Sequence, residues 1–128
     1  MKAEINGSID KFLEGIKESE FFRKIEFITL YGSQLSEYHL KDSDIDICIY
    51  LREEEKINLG KIRLDLLKAL GDEFDIQMFQ LLPIYVQIEV LKGRVLYVRD
   101  EDELYRIAYE TIEEYEDFYP LYEDYINR

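Results

Sequence analysis

A chain of 128 residues with 29 Asp and Glu against 16 Lys and Arg carries a net charge of −13, which excludes nucleic acid as a direct partner and suits a basic protein partner. The length suffices for one domain, residues 1–128, with its own core, ending in an acidic, Tyr-rich helical segment over 100–128. No apolar window is long enough for a transmembrane helix, the start MKAEINGSID lacks the apolar centre of a secretory signal, and Cys48 is the only cysteine; we expect no membrane association, no internal disulfide and a cytoplasmic setting.

In chain order, Asn6 to Arg23 reads as a first helix, with Ser8 as N-cap and Ile9, Phe12, Leu13 and Ile16 as its apolar stripe. Lys24 to Tyr31 reads as a strand. Gly32-Ser33 then makes a tight turn into a short helix, Gln34 to about Tyr38. His39, the only histidine, and Lys41 and Asp42 fall in a polar loop. Asp44-Ile45-Asp46-Ile47-Cys48-Ile49-Tyr50 alternates with period two and reads as the next strand.

That alternation places Asp44 and Asp46 on one face and Ile45, Ile47 and Ile49 on the other, with Cys48 on the Asp side as a small buried filler. Two positions along a strand span roughly 6.6 Å. Two carboxylates at that separation can share one cation and hold a second beside it. Hard oxygen ligands without a His or Cys cluster favour Mg²⁺ or Mn²⁺ over zinc. Gly32 allows close backbone approach, Ser33 can offer its hydroxyl to a phosphate, and a helix N-terminus behind them favours an anion. Together these describe a site for a metal-bound triphosphate.

Further on, Arg52 to Lys56 forms a charged connection. Ile57 to Leu70 reads as an amphipathic helix, with Leu59, Ile62, Leu66, Leu67 and Leu70 inward, Lys61, Arg63, Asp65 and Lys68 outward, and Gly71 as its stop. Phe74 to Phe79 reads as a third strand, and Asp75 is a lone acid inside that apolar run, which is destabilising unless it is paired or metal-bound. Pro83 opens a short helix, Ile84 to Lys92, which Gly93 stops. Arg94 to Val98 reads as a fourth, edge strand. Asp100 starts the last helix, with Leu104, Ile107, Ala108, Ile112 and Tyr115 on one side and a break or kink expected near Tyr119, ahead of Pro120. Tyr105, Tyr109, Tyr115, Tyr119, Tyr122 and Tyr125 stand among many acids, a composition suited to a protein interface.

Gly32-Ser33, ten residues, then Asp44-Ile45-Asp46 between two strands resembles the signature of the minimal nucleotidyltransferases of the DNA polymerase β-like superfamily. Most of the chain is similar, too, to the antitoxin half of HEPN–MNT toxin–antitoxin pairs. The resemblance implies an α/β domain in which a small mixed sheet carries helices mainly on one face. It implies nucleotidyl transfer, with Asp44, Asp46 and Asp75 as catalytic residues and ligands of two Mg²⁺ ions, Gly32 and Ser33 binding nucleotide, and ATP as the donor. It also implies a HEPN-type toxin as partner in a hetero-oligomer, with AMP passed to a tyrosine hydroxyl. One departure is visible. The family often follows Gly-Ser with x-Ala-Arg-Gly, whereas here Ser36 stands for the Arg and Glu37 for the Gly. Two other readings accompany the enzyme: a catalytically weak antitoxin acting by binding, and a small-molecule, aminoglycoside-type transferase.

Overall fold

The computed structural model describes residues 2–32, 45–52, 58–71 and 73–126. Four strands, β1 (Ile25–Tyr31), β2 (Ile45–Leu51), β3 (Phe74–Met78) and β4 (Arg94–Val98), make one sheet in the order β3-β2-β1-β4. The β1–β2 and β1–β4 pairs are antiparallel and β2–β3 is parallel, so the sheet is mixed, as expected, and β4 lies at an edge. Helix α2 (Leu59–Leu70) makes the crossover between the parallel strands, which no tight turn could make.

The apolar pattern explains the layering. Ile45, Ile47, Ile49 and Leu51 of β2 face one way and, with Ile28, Leu30 and Ile76, meet Ile9, Phe12 and Ile16 of α1 (Lys2–Glu18) and Ile62 and Leu66 of α2. On the opposite face Phe27 and Cys48 meet Phe79, Val90 of α3 (Ile84–Leu91) and Ile107 of α4 (Glu101–Ile126). The larger core is on the α1–α2 face, yet α3 and α4 pack on the other, so the helices are shared more evenly than the resemblance implied. The physical reason is that β1 and β2 bring apolar side chains to both faces: Phe27 and Cys48 are as fully buried as Ile28 and Ile47.

Local signals account for most element ends. Asn58 caps α2 by accepting from the Lys61 amide at 3.1 Å, and Gly71 closes it at φ 99°. Asp100 caps α4 through a 3.0 Å bond from the Asp102 amide, and the acids that follow suit the positive end of the helix dipole. Other signals mislead. α1 begins well before Ser8, which therefore is not its N-cap; its hydroxyl donates to Glu73 Oε2 at 3.2 Å instead. α4 runs through Pro120 without ending at Tyr119. Pro120 is exposed, where solvent can serve the carbonyl that its missing N–H leaves without a helix bond. Among the described side chains of α4 the buried ones are Ile107 and Thr111, while Ile112 faces solvent. Thr111 tolerates burial because its hydroxyl donates to the Ile107 carbonyl at 2.7 Å.

Candidate active site

β1 ends in Tyr31, and Gly32 follows it. Opposite Tyr31 in the antiparallel register stands Asp46, and opposite Asp46 in the parallel register stands Asp75. Register partners point to the same face, so Tyr31, Asp46 and Asp75 form a row across three strands, with neighbours roughly 4.8 Å apart at the backbone. Cys48 follows Asp46 on that face, where it is fully buried, and burial pushes its thiol well above the ordinary range.

Gly32 is the tight point of the row. Its φ is +77°, a conformation in which a side chain is strained, and a Cβ placed there would stand 2.4 Å from Asp46 Oδ2. The glycine thus gives the Asp46 carboxylate room beside the exit of β1. Asp75 is held from the far side. Gln77, two residues on and on the same face, donates to Asp75 Oδ1 at 3.0 Å. Arg63 of α2 donates through Nε to the Ile76 carbonyl at 2.6 Å and brings Nη2 to 3.8 Å from Asp75 Oδ1. Both partners of that pair are about one-third exposed, so it orients more than it stabilises.

Tyr31 is half-buried beside the carboxylates. Burial, together with Cys48, Asp46 and Asp75, holds its hydroxyl well above the usual tyrosine range. It therefore stays protonated and can donate a hydrogen bond to this face.

Of the residues singled out by sequence, the fold brings Gly32, Asp46 and Asp75 together. Ser33, Asp44, His39, Ser36 and Glu37 lie outside the described residues. Three residues at this row were not anticipated. Tyr31 was legible as the last residue of the strand, two short of Ser33. Gln77 was legible from period two relative to Asp75. Arg63 was assigned to the outward face of its helix, and nothing in a helical projection shows that it reaches an edge strand.

A family profile described as polymerase beta nucleotidyltransferase matches residues 14–102, a span that includes Gly32, Asp46 and Asp75. A provisionally named protein adenylyltransferase from Methanocaldococcus jannaschii is 36% identical over 81 residues, an alignment that spans 63% of this chain and 62% of the relative's own length. Among solved structures, a toxin–antitoxin complex with AMP-PNP superposes with a TM-score of 0.69 at 22% identity, covering 93% of this chain and 95% of the other. A tri-AMPylated Shewanella oneidensis HEPN toxin in complex with its MNT antitoxin gives 0.68 at 18% identity, with 95% of each chain covered. At these identities the structural likeness establishes the fold.

Proposed function

We propose that this chain, which belongs to the polymerase β nucleotidyltransferase family, transfers AMP from ATP to a tyrosine hydroxyl of a HEPN-type partner toxin, with Mg²⁺ as cofactor. The observation that carries this reading is the register pairing of Asp46 with Asp75 beside the glycine turn. The relatives named above, an adenylyltransferase and an antitoxin bound to an AMPylated toxin, supply the donor and the acceptor.

The donor set fits Mg²⁺. It consists of carboxylate oxygens, and the space at Gly32 that a Cβ would fill lies directly against Asp46 Oδ2. Asp46 and Asp75 would hold the cofactor with Asp44, which lies outside the described residues; the described residues contain no complete trio of metal ligands by themselves. Bound there, Mg²⁺ would neutralise charge on the triphosphate.

In this reading Gly32 and Ser33 hold the β- and γ-phosphates. Asp75, oriented by Gln77 and Arg63, accepts the proton of the acceptor hydroxyl as its oxygen bonds to the α-phosphorus. The bond from that phosphorus to the bridging oxygen breaks, and pyrophosphate leaves with the electron pair. Tyr31, held protonated, donates to the charge at the site and does not serve as the base. Positioning is the protein's main contribution, as in other phosphoryl and nucleotidyl transfers.

The test is pyrophosphate release from ATP and Mg²⁺ with and without the purified HEPN toxin. Release that requires the toxin supports the reading. A stable complex without release selects a binding-only antitoxin, which Ser36 and Glu37 in place of the family's Arg-Gly favour.

A further inference from the structure

At the end of β1 remote from Gly32, the sheet and the first half of α4 enclose a cavity of about 420 Å³. Its walls include Glu26, Tyr50, Arg52, Arg99, Glu103 and Arg106. Glu26 belongs to the bulge between Ile25 and Phe27, where the β1–β2 register shifts. Along β1 this is about 16 Å from the Tyr31 end, five residues at the rise of a strand.

Glu26 is only 1% exposed, and neither of its carboxylate oxygens accepts a hydrogen bond. Arg99 Nε, at 3.5 Å from Oε2, gives an ion pair without hydrogen-bond geometry. Of the other cations nearby, Arg106 donates to Glu103 and Glu110, and Arg52 donates through Nη2 to the Arg23 carbonyl while its Nε is buried without a partner. The adjoining groove between α3 and α4 shares Tyr50 and Glu110 with this cavity, and there Gln80 Oε1 is a further buried acceptor without a donor. Unfilled buried acceptors are destabilising, and three of them against the single unfilled donor of Arg52 favour a ligand that brings donors.

A metal ion does not answer to this wall. The described residues hold no trio of metal ligands. A group with several N–H donors and a delocalised positive charge does, because a guanidinium fork matches both oxygens of one carboxylate. We infer that this cavity is a second ligand site, whose occupant presents a guanidinium or primary ammonium group to the Glu26 carboxylate. The inference is independent of nucleotide chemistry and stands or falls apart from it.

The test is an amide-resolved NMR titration of the full chain with methylguanidinium, against tetramethylammonium, which has the charge but no N–H donor. The expected result is saturable shifts around Glu26, Tyr50, Arg99 and Arg106 with methylguanidinium alone, and affinity roughly tenfold or more weaker in Glu26→Gln. A blocked Gly-Arg-Gly peptide separates the two sources of such a group. Tighter binding than methylguanidinium, with shifts spreading to Gln80, assigns the site to an arginine of a protein partner; equal binding assigns it to a free small molecule. Absence of saturable shifts, an equal response to tetramethylammonium, or unchanged affinity in Glu26→Gln overturns the inference. Should that variant not fold, the comparison of the two cations on the native chain decides alone.

Discussion

The Cα of Gly32 lies so close to Asp46 that a methyl group there would stand 2.4 Å from the Oδ2 oxygen, with the backbone already at φ +77°. Gly32→Ala must therefore move the carboxylate or the turn. The strained φ is worth roughly 1–2 kcal/mol of stability. We expect a modest drop in melting temperature but a loss of nucleotidyl transfer of at least about tenfold, since a small displacement of a positioned group is amplified in rate. Parallel measurement of turnover and thermal unfolding checks this; full turnover would mean that Asp46 does not need its place beside the glycine.

The carboxylates themselves should be separable from the fold. Asp46 pairs with Asp75 across β2 and β3, and the sheet around them is held by apolar side chains on the opposite face. Changing Asp44 and Asp46 together to Asn keeps shape and removes charge. The expected outcome is no Mg²⁺-dependent turnover with unfolding at or above the native temperature, because like charges no longer face each other. Undiminished activity in the double variant would sink the assignment of the site.

Asp75 and Glu26 show what a linear reading sees and what it passes over. Both are single acids inside apolar runs, Phe74–Met78 and Ile25–Tyr31, and both carry the same warning of a charge in a buried strand. Asp75 stood out because the family resemblance offered it the role of a third carboxylate; Glu26 had no such role to claim it. Its destination depends on a bulge and on a helix more than seventy residues later, and neither has a local signature. The contact of Arg63 with Asp75 went unseen for a related reason: helical periodicity separates inside from outside but does not reveal which outside positions lie against an edge strand. The strands and the crossover helix were legible because their apolar periods are clean. The start of α1 was not, since Lys2 to Gly7 offers little apolar pattern and Ser8 imitates a cap.

Gly93 makes a different demand from Gly32. A Cβ on it would meet the Leu30 backbone oxygen at 2.3 Å and Thr29 Cγ2 at 2.9 Å, so the start of β4 presses directly on β1. Backbone cannot swing aside as a side chain tip can. Gly93→Ala should destabilise by about 1–3 kcal/mol, the range for overpacking a filled site. Gly7→Ala is the natural control, being helical and exposed with nothing within 4 Å, and should stabilise by about 0.5–1 kcal/mol. Urea unfolding of the two variants reads both; equal effects would show that β4 can move away from β1 freely.

Burial raises the Glu26 carboxyl above its ordinary 4.5; Arg99 opposes the rise, Glu103 adds to it, Arg52 opposes and Asp100 adds. An acid whose folded value is raised binds protons more tightly folded than unfolded. Its contribution to stability is full below pH 4.5 and is lost as pH rises through the folded value. Relative to Glu26→Gln, the native chain should therefore lose stability as pH rises from 4.5, and the gap should level off once Glu26 is ionised in the folded state. At neutral pH the variant should be the more stable, by about 1 kcal/mol. Urea midpoints of both proteins across this range give the answer. A pH-independent difference would mean that Glu26 titrates alike folded and unfolded.

Among the described side chains of α4, four large ones stand in solvent: Tyr105 at 65%, Tyr109 at 64%, Ile112 at 45% and Tyr119 at 42% exposure. Their steps of four, three and seven residues follow a heptad, so they form one seam along the helix. Glu101, Glu113 and Glu116 are among the acids interspersed with it, which opposes pairing with a second copy of so acidic a chain and favours a basic partner. Tyr105→Ser together with Tyr109→Ser removes the two most exposed rings without touching Ile107 or Thr111, which anchor the helix. We expect folding stability to change by less than about 0.5 kcal/mol and toxin affinity to fall by roughly tenfold or more, as when aromatic anchors leave an interface. Association of the native chain should slow as salt rises. The decisive measurement is the intact mass of the toxin after incubation with ATP, Mg²⁺ and either native chain or variant. Added adenylate with the native chain, reduced in the variant at low concentration and recovered at high concentration, places the seam in partner binding. A variant that binds and modifies the toxin as well as the native chain does would leave the tyrosines as surface only.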